Sequence, residues 1–150
     1  MIVEVKHTES NALSKVYTEL KNINYRYPLF KSWFYDKVVP ELELGYRHII
    51  TIQKINEIQA TLILKDSYEK KICTLWVAEK YRNLGLGTQL IDLARQKLGT
   101  NYPLITVSGE HLHEFKPLFK KFGFRSECQY PNYYTTDSVE YCLNGELVKY

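Results

Sequence analysis

The spacing of apolar and polar positions changes along this chain, and each change marks an element. Ile2 to Lys6 alternates, which reads as a first strand. Ser10 or Asn11 can cap a helix in which Ala12, Leu13, Val16, Tyr17, Leu20 and Ile23 share one face. Asn22-Ile23-Asn24 ends it. Pro28 suits the first turn of a second helix, with Leu29, Phe30, Trp33, Phe34 and Val38 turned inward, and Pro40 is expected to stop it. Three strand-like runs follow, Tyr46–Lys54, Ile58–Leu64 and Ile72–Val77. Short turns at Asn56 and at Asp66-Ser67-Tyr68-Glu69 join them, so an antiparallel meander is expected.

The second half returns to a helical period. Leu86, Leu90, Leu93, Ala94 and Leu98 lie three to four apart, and Gly99 is a natural stop. Leu104 to Val107 is a short strand ending at Ser108-Gly109. A helix between two neighbouring strands implies a right-handed crossover and parallel pairing. Phe115, Leu118, Phe119 and Phe122 give a short helix face with Pro117 in its first turn and Gly123 as its cap. Phe124–Tyr130 and Ser138–Leu143 read as two last strands, the first broken by Pro131-Asn132. The order is β-α-α-β-β-β-α-β-α-β-β, a mixed α/β sheet with helices on its faces. No internal repeat or linker divides residues 1–150, so one domain is expected.

Composition narrows the classes. With 45% hydrophobic and 25% charged residues the chain should be globular and soluble. No apolar run approaches membrane-spanning length, and Met1-Ile2-Val3-Glu4-Val5-Lys6 is no signal peptide, so a cytoplasmic protein without a membrane partner is expected. Cys73, Cys128 and Cys142 are far apart with no C-x-x-C pair, which suggests buried reduced thiols and no metal. A net charge of +3 without a basic block does not point to nucleic acid; Glu69-Lys70-Lys71 reads as a solvated turn. Tyr25, Tyr27, Tyr130, Tyr133, Tyr134 and Tyr141 cluster away from the centre, where tyrosines suit strands and half-wet pocket walls alike.

The richest stretch runs from Ile72 to Leu98. A buried strand ends at Val77, a polar link Ala78-Glu79-Lys80-Tyr81 follows, and Arg82-Asn83-Leu84-Gly85-Leu86-Gly87-Thr88 leads into the helix. The first turn of a helix carries unpaired N–H groups and the positive end of the macrodipole. Glycines at 85 and 87 let a ligand come close to the backbone, and Arg82 adds charge, so the stretch suits phosphates. No lysine follows Gly87, which excludes the G-x-x-x-x-G-K-[ST] loop. Leu90 and Ala78 stand where the dinucleotide fingerprint needs glycine.

R-x-x-G-x-G after a strand resembles the acetyl-CoA pyrophosphate loop of the GNAT superfamily of N-acetyltransferases. Leu118-Phe119-Lys120-Lys121-Phe122-Gly123-Phe124 is similar to that family's L-Y-x-K-x-G-F signature, and the element order is also the family's. The resemblance implies acetyl transfer from acetyl-CoA to a primary amine of a small molecule, peptide or protein. It implies that the backbone of Arg82, Asn83, Leu84, Gly85, Leu86, Gly87 and Thr88 holds the pyrophosphate. Leu75, Trp76 and Val77 would pair with the pantetheine arm like an added strand, and the Leu75 N–H would meet the thioester carbonyl, where negative charge grows during attack.

Acid and base depart from the pattern. The tyrosine that many members use to protonate the departing thiolate falls at Phe119, a glutamate base of some members at about Lys71, and a common asparagine near Leu112. Ordered water, or Ser108, Glu110 or His111 just after the strand at Val107, is then expected to move the proton. His111 and His113 read equally as surface loop residues, and Phe119 as plain core. Tyr25, Tyr27, Trp33 and Tyr35 are candidates for the acceptor pocket, with core packing the competing fate of Trp33. Two other functions stay open: a catalytically weak acyl-CoA-binding module, and toxin-like acetylation of aminoacyl-tRNA. A homodimer stays open as well.

Overall fold

The computed structural model describes residues 1–22, 29–131 and 139–146. Seven strands form one sheet: β1 (Ile2–Glu4), β2 (Arg47–Lys54), β3 (Glu57–Asp66), β4 (Lys70–Val77), β5 (Leu104–Ser108), β6 (Ser126–Pro131) and β7 (Val139–Leu143). Their spatial order is β1-β2-β3-β4-β5-β7-β6. The expected meander β2-β3-β4 is antiparallel, and β4 pairs with β5 in parallel. The crossover between them is α4 (Leu86–Leu98), which ends where the sequence reading put it, at Gly99 in the left-handed region, φ 68°.

Helices cover both faces. On one, α4 and α5 (Gly109–Lys121) close a core of Ile50, Ile52, Leu62, Leu64, Ile72, Leu90, Ile91, Ala94, Ile105, Val107 and Phe119. On the other, α1 (Ser10–Lys21) presents Leu13, Val16 and Leu20 to Val5, Ile49, Ile58 and Ile63. Ala12 and Tyr17 pack beside them, while Ile23 falls outside the described residues. Glu9, not Ser10 or Asn11, is the residue before the helix; its carboxylate accepts the Lys6 N–H at 2.8 Å.

The second helical segment does not stop at Pro40. It runs as α2 (Phe30–Ser32), a π-helical turn (Trp33–Val38) and α3 (Val39–Glu43). The Val39 N–H reaches back five residues to the Phe34 carbonyl, widening the turn just before the proline. Pro40 is the second residue of α3, directly after the widened turn, and that turn accommodates its ring and its missing N–H. Phe34, wholly buried, is ringed by Tyr17, Phe30 and Tyr35 at centroid distances of 5.7, 6.2 and 5.0 Å.

The last helix also differs. It begins directly after β5, so Pro117 lies inside it, and His111 and His113 sit on a helix, not a loop. Phe119 stacks between Phe115 and Phe124, at 5.6 and 5.9 Å. β6 starts two residues later than expected, at Ser126, because Gly123 at φ 71° and the turn bond from the Phe124 N–H to the Phe119 carbonyl take up the approach.

Candidate active site at the parting of two strands

A bulge at Cys73 shapes the centre of the sheet. Ile63 pairs with Thr74 but Leu64 pairs with Ile72, so β4 carries one residue too many. Such an insertion bends and twists a strand. On its other side β4 meets β5 over two pairs, Lys71↔Leu104 and Ile72↔Ile105. Past these, β4 follows β3 to Val77, while β5 follows β7 to Ser108. The two central strands part, and Thr74–Val77 face Thr106–Ser108 across a gap.

Strand alternation decides which backbone groups open on that gap. The Ala78 N–H donates to the Gln59 carbonyl at 2.8 Å, which fixes the phase. Trp76, two residues back, therefore directs its backbone to β3, and its side chain packs on the α1 side. Leu75 and Val77 direct their N–H and C=O groups to the gap. Of the three residues expected along the pantetheine arm, Leu75 and Val77 turn their backbone to the gap and Trp76 turns its own to β3. The Val77 carbonyl already accepts Arg82 Nε–H at 3.2 Å.

That bond folds the following loop back over the strand end. A 3-10 turn (Glu79–Tyr81) comes first, tied to β3 by the Tyr81 hydroxyl, which donates to Glu57 Oε2 at 2.7 Å. Asn83 and Gly85 then take positive φ, 64° and 84°. Asparagine tolerates that region and glycine occupies it freely, so the loop turns sharply into α4. The first bond of the helix runs from the Gln89 N–H to the Gly85 carbonyl at 3.1 Å. The N–H groups of Leu86, Gly87 and Thr88 are left without helical partners. No side chain caps this end and no acidic residue lies in its first turn, so the positive pole is uncompensated.

Two cations flank it. Arg82 is one; the other is Lys121 at the end of α5, whose Nζ donates to Thr88 Oγ1 at 3.3 Å. Bare N–H groups between two cations make a site for a di- or polyanion. Lys121 was not singled out from the sequence, although it stands in the L-F-K-K-F-G-F run. Gly87 has a second reason to be glycine: a Cβ there would lie 3.2 Å from Leu118 Cδ2, so α4 and α5 touch at this point. Asn83 and Leu84 are exposed on the loop, and Leu86 packs down on the core.

The residues expected to move protons divide into two places. Ser108 ends β5 and stands just before α5, yet its hydroxyl makes no capping bond to that helix. His111 is exposed in the first turn of α5 with Nδ1 3.4 Å from Glu114 Oε2, a solvent-side pair. Glu110 shares that turn, its side chain outside the description. Trp33 packs against the α1 core under the Arg47 guanidinium, 5.6 Å from its ring, and Tyr35 meets Tyr17 at a tilt and Phe34 edge-on. Tyr25, Tyr27, Tyr133 and Tyr134 lie outside the described residues.

Glu140 on β7 escaped the sequence reading. It is 3% exposed, stands opposite Ser108 on β5 and Tyr130 on β6, and bonds to Thr106. Burial pushes its carboxyl up to about 7, against the pull of the nearby Lys71 ammonium and the Thr106 bond. A raised carboxyl favours the folded state while it is protonated, below the ordinary 4.5, and forfeits that preference as pH rises through about 7. The displacement corresponds to about 3 kcal/mol. Glu140→Gln cannot ionise but gives up the attraction between the carboxylate and Lys71, so a net gain of about 1–2 kcal/mol is expected at pH 8.5 and little change at pH 5. Urea unfolding at the two pH values reads it.

None of the three cysteines is in a disulfide; Cys142 is buried, and Cys73 and Cys128 are half-buried. No helix among the described residues is long and apolar enough to cross a membrane.

An open strand edge leading to an uncapped helix N-terminus, in a mixed seven-stranded sheet, is the framework of an acyltransferase. The Acetyltransferase (GNAT) domain matches residues 45–126, and the chain belongs to that family. No curated protein matches it in sequence. Among solved structures, an aminoglycoside 6'-N-acetyltransferase complexed with coenzyme A superimposes with a TM-score of 0.71 at 14% identity, covering 95% of this chain and 94% of that one. The aminoglycoside 6'-N-acetyltransferase from Enterococcus faecium gives 0.71 at 12% identity over 95% and 94%. A GNAT family acetyltransferase from Elizabethkingia anophelis with acetyl-CoA bound gives 0.56 at 21% over 71% and 80%. Their likeness is one of fold.

Proposed function

We propose that this chain, residues 1–150 as one N-acetyltransferase domain, moves an acetyl group from acetyl-CoA to a primary amine of a small molecule. The observation that carries the reading is the parting of β4 from β5 in line with the bare N-terminus of α4. The gap opens where β4 and β5 cease to pair, and an extended pantetheine arm would run along it against Leu75 and Val77. The diphosphate would then meet the N–H groups of Leu86, Gly87 and Thr88 between Arg82 and Lys121. With the acyl group beside Leu75, its N–H would donate to the thioester oxygen as charge develops there. Two of the similar structures hold coenzyme A or acetyl-CoA, and two are enzymes named for aminoglycosides, polyamines of low molecular weight. A small polyamine is therefore the first acceptor to try, with peptide amines second.

Arg82→Ala and Lys121→Ala should each weaken acetyl-CoA about threefold to tenfold, as expected for partly solvated charge pairs. The glutamate substitutions should weaken it further, by adding repulsion. Calorimetry on folded protein reads the affinity, and release of CoA thiol over a panel of amines reads the activity. Tight binding with no turnover on any amine would favour the acyl-CoA-binding module instead. Full affinity in both glutamate variants would remove the donor site from this end of the sheet.

A further inference from the structure

Lys71 stands on β4 at about the place where some members of the family carry a glutamate base, and a buried carboxylate, Glu140, lies on β7. Glu140 and Lys71 lie on the sheet face opposite α4 and α5. Ile72, the next residue along β4, belongs to the core under those helices, and Val107 and Leu143 do so on β5 and β7. Cross-strand pairs share a face, so Tyr130, Glu140 and Ser108 form a row across β6, β7 and β5. Ser108 is the last residue of β5, at the wide end of the gap. Ser108 is 8% exposed, and its hydroxyl does not cap α5, although serine is a favoured residue in that position. Among the described residues, the titratable groups facing Glu140 are Lys71 from β4 and Tyr130 from β6; Thr106 and Ser108 from β5 are neutral.

We propose that Glu140 is the proton acceptor of the transfer step, reached through the Ser108 hydroxyl. The proposal rests on the acetyl-transfer reading above. The acceptor arrives as R–NH3⁺. One of its protons passes to Ser108 Oγ as the serine proton passes to Glu140. The freed nitrogen pair forms the C–N bond, and the carbonyl pair moves to the oxygen beside the Leu75 N–H. When the carbonyl reforms, the C–S bond breaks and its pair leaves on the CoA sulfur. That thiolate takes a second proton from nitrogen, giving amide and CoA thiol, and Glu140 returns its proton to solvent. A carboxyl poised near neutrality is suited to this work, since it is ionised in part at working pH and still basic enough to take the proton.

The test measures kcat/KM against pH from 5.5 to 9.5, acetyl-CoA affinity and thermal stability for the parent, Glu140→Gln, Glu140→Asp and Ser108→Ala. The parent should gain activity through a limb near pH 7. Glu140→Gln should lose about 10² to 10⁴ in rate together with that limb, at unchanged donor affinity. Glu140→Asp should keep a limb, displaced, and Ser108→Ala should lower kcat at least about tenfold without weakening the donor. A purely structural carboxylate would move stability and leave the limb in place. A Glu140→Gln variant with the parent's limb and rate overturns the proposal. Should that variant fail to fold, an unmoved limb in Glu140→Asp overturns it equally. A parent that binds no acetyl-CoA overturns the acetyl-transfer reading, and that result is read before any variant is made.

Discussion

Phe34→Ala is expected to cost about 3–5 kcal/mol of stability, the range for emptying a buried aromatic site. Phe34 is wholly buried in the core that joins α1 to the sheet, with three aromatic neighbours within about 6 Å. It also accepts, through its carbonyl, the five-residue bond of the π turn, so it sits where the helix is widest. Collapse into the space is hindered on both counts: Tyr17 touches both Phe30 and Tyr35, and the backbone beneath is already adjusted for Pro40. The pyrophosphate-type loop and α4 lie across the sheet from it. Variant protein that is still folded at low temperature should therefore bind acetyl-CoA as the parent does. Urea midpoints give the first quantity and calorimetry at low temperature the second. A loss below about 1 kcal/mol would mean that this half of the molecule repacks freely.

Gly87→Val should damage two properties through two atoms' worth of space. A Cβ at 87 meets Leu118 Cδ2 at 3.2 Å, and the valine methyls extend that overlap, with an expected cost of about 1–3 kcal/mol. The same side chain stands beside the N–H groups that would hold the diphosphate, so donor affinity should fall about tenfold or more. Adding Leu118→Ala separates the two. The double variant should be more stable than the sum of the single changes by about 1 kcal/mol, since the residues share one contact. Its donor affinity should stay low. Recovery of both together would show that glycine at 87 serves only the approach of α4 to α5.

Much of this arrangement is legible from the chain, and the exceptions have physical reasons. The strand runs and the helix from Leu86 to Leu98 are set by periodicity and a left-handed glycine stop, both local signals. The phosphate-type turn is also local, which is why Arg82, Gly85 and Gly87 stood out. Pro40 misled because a proline stops an α-helix but can begin one, and only the widened turn before it decides between the two. The early start of α5 was hidden because Gly109 reads as a strand terminator and the apolar face begins only at Leu112. Lys121 needed the contact between two helices far apart in sequence. Glu140 did leave a trace: a lone carboxylate in the otherwise apolar run Val139-Glu140-Tyr141-Cys142-Leu143. Its meaning depended on β7 being inserted between β5 and β6, a pairing no local pattern announces.

A sheet ordinarily has two free edges, and both are hazards, since unpaired backbone recruits strands from other molecules. Here the outer edges are poor templates. β1 is three residues long and ends in a glutamate, and β6 ends in a proline. The parting of β4 from β5 creates a third edge in the interior, and this one is apolar, with Leu75 and Val77 both set against the core. At the rim such a strand would invite aggregation. In its place, between β4 and β5 and beneath α4 and α5, it lies inside the sheet and not at its rim. The molecule keeps this third edge in its interior, away from the rims where strands of other molecules would pair.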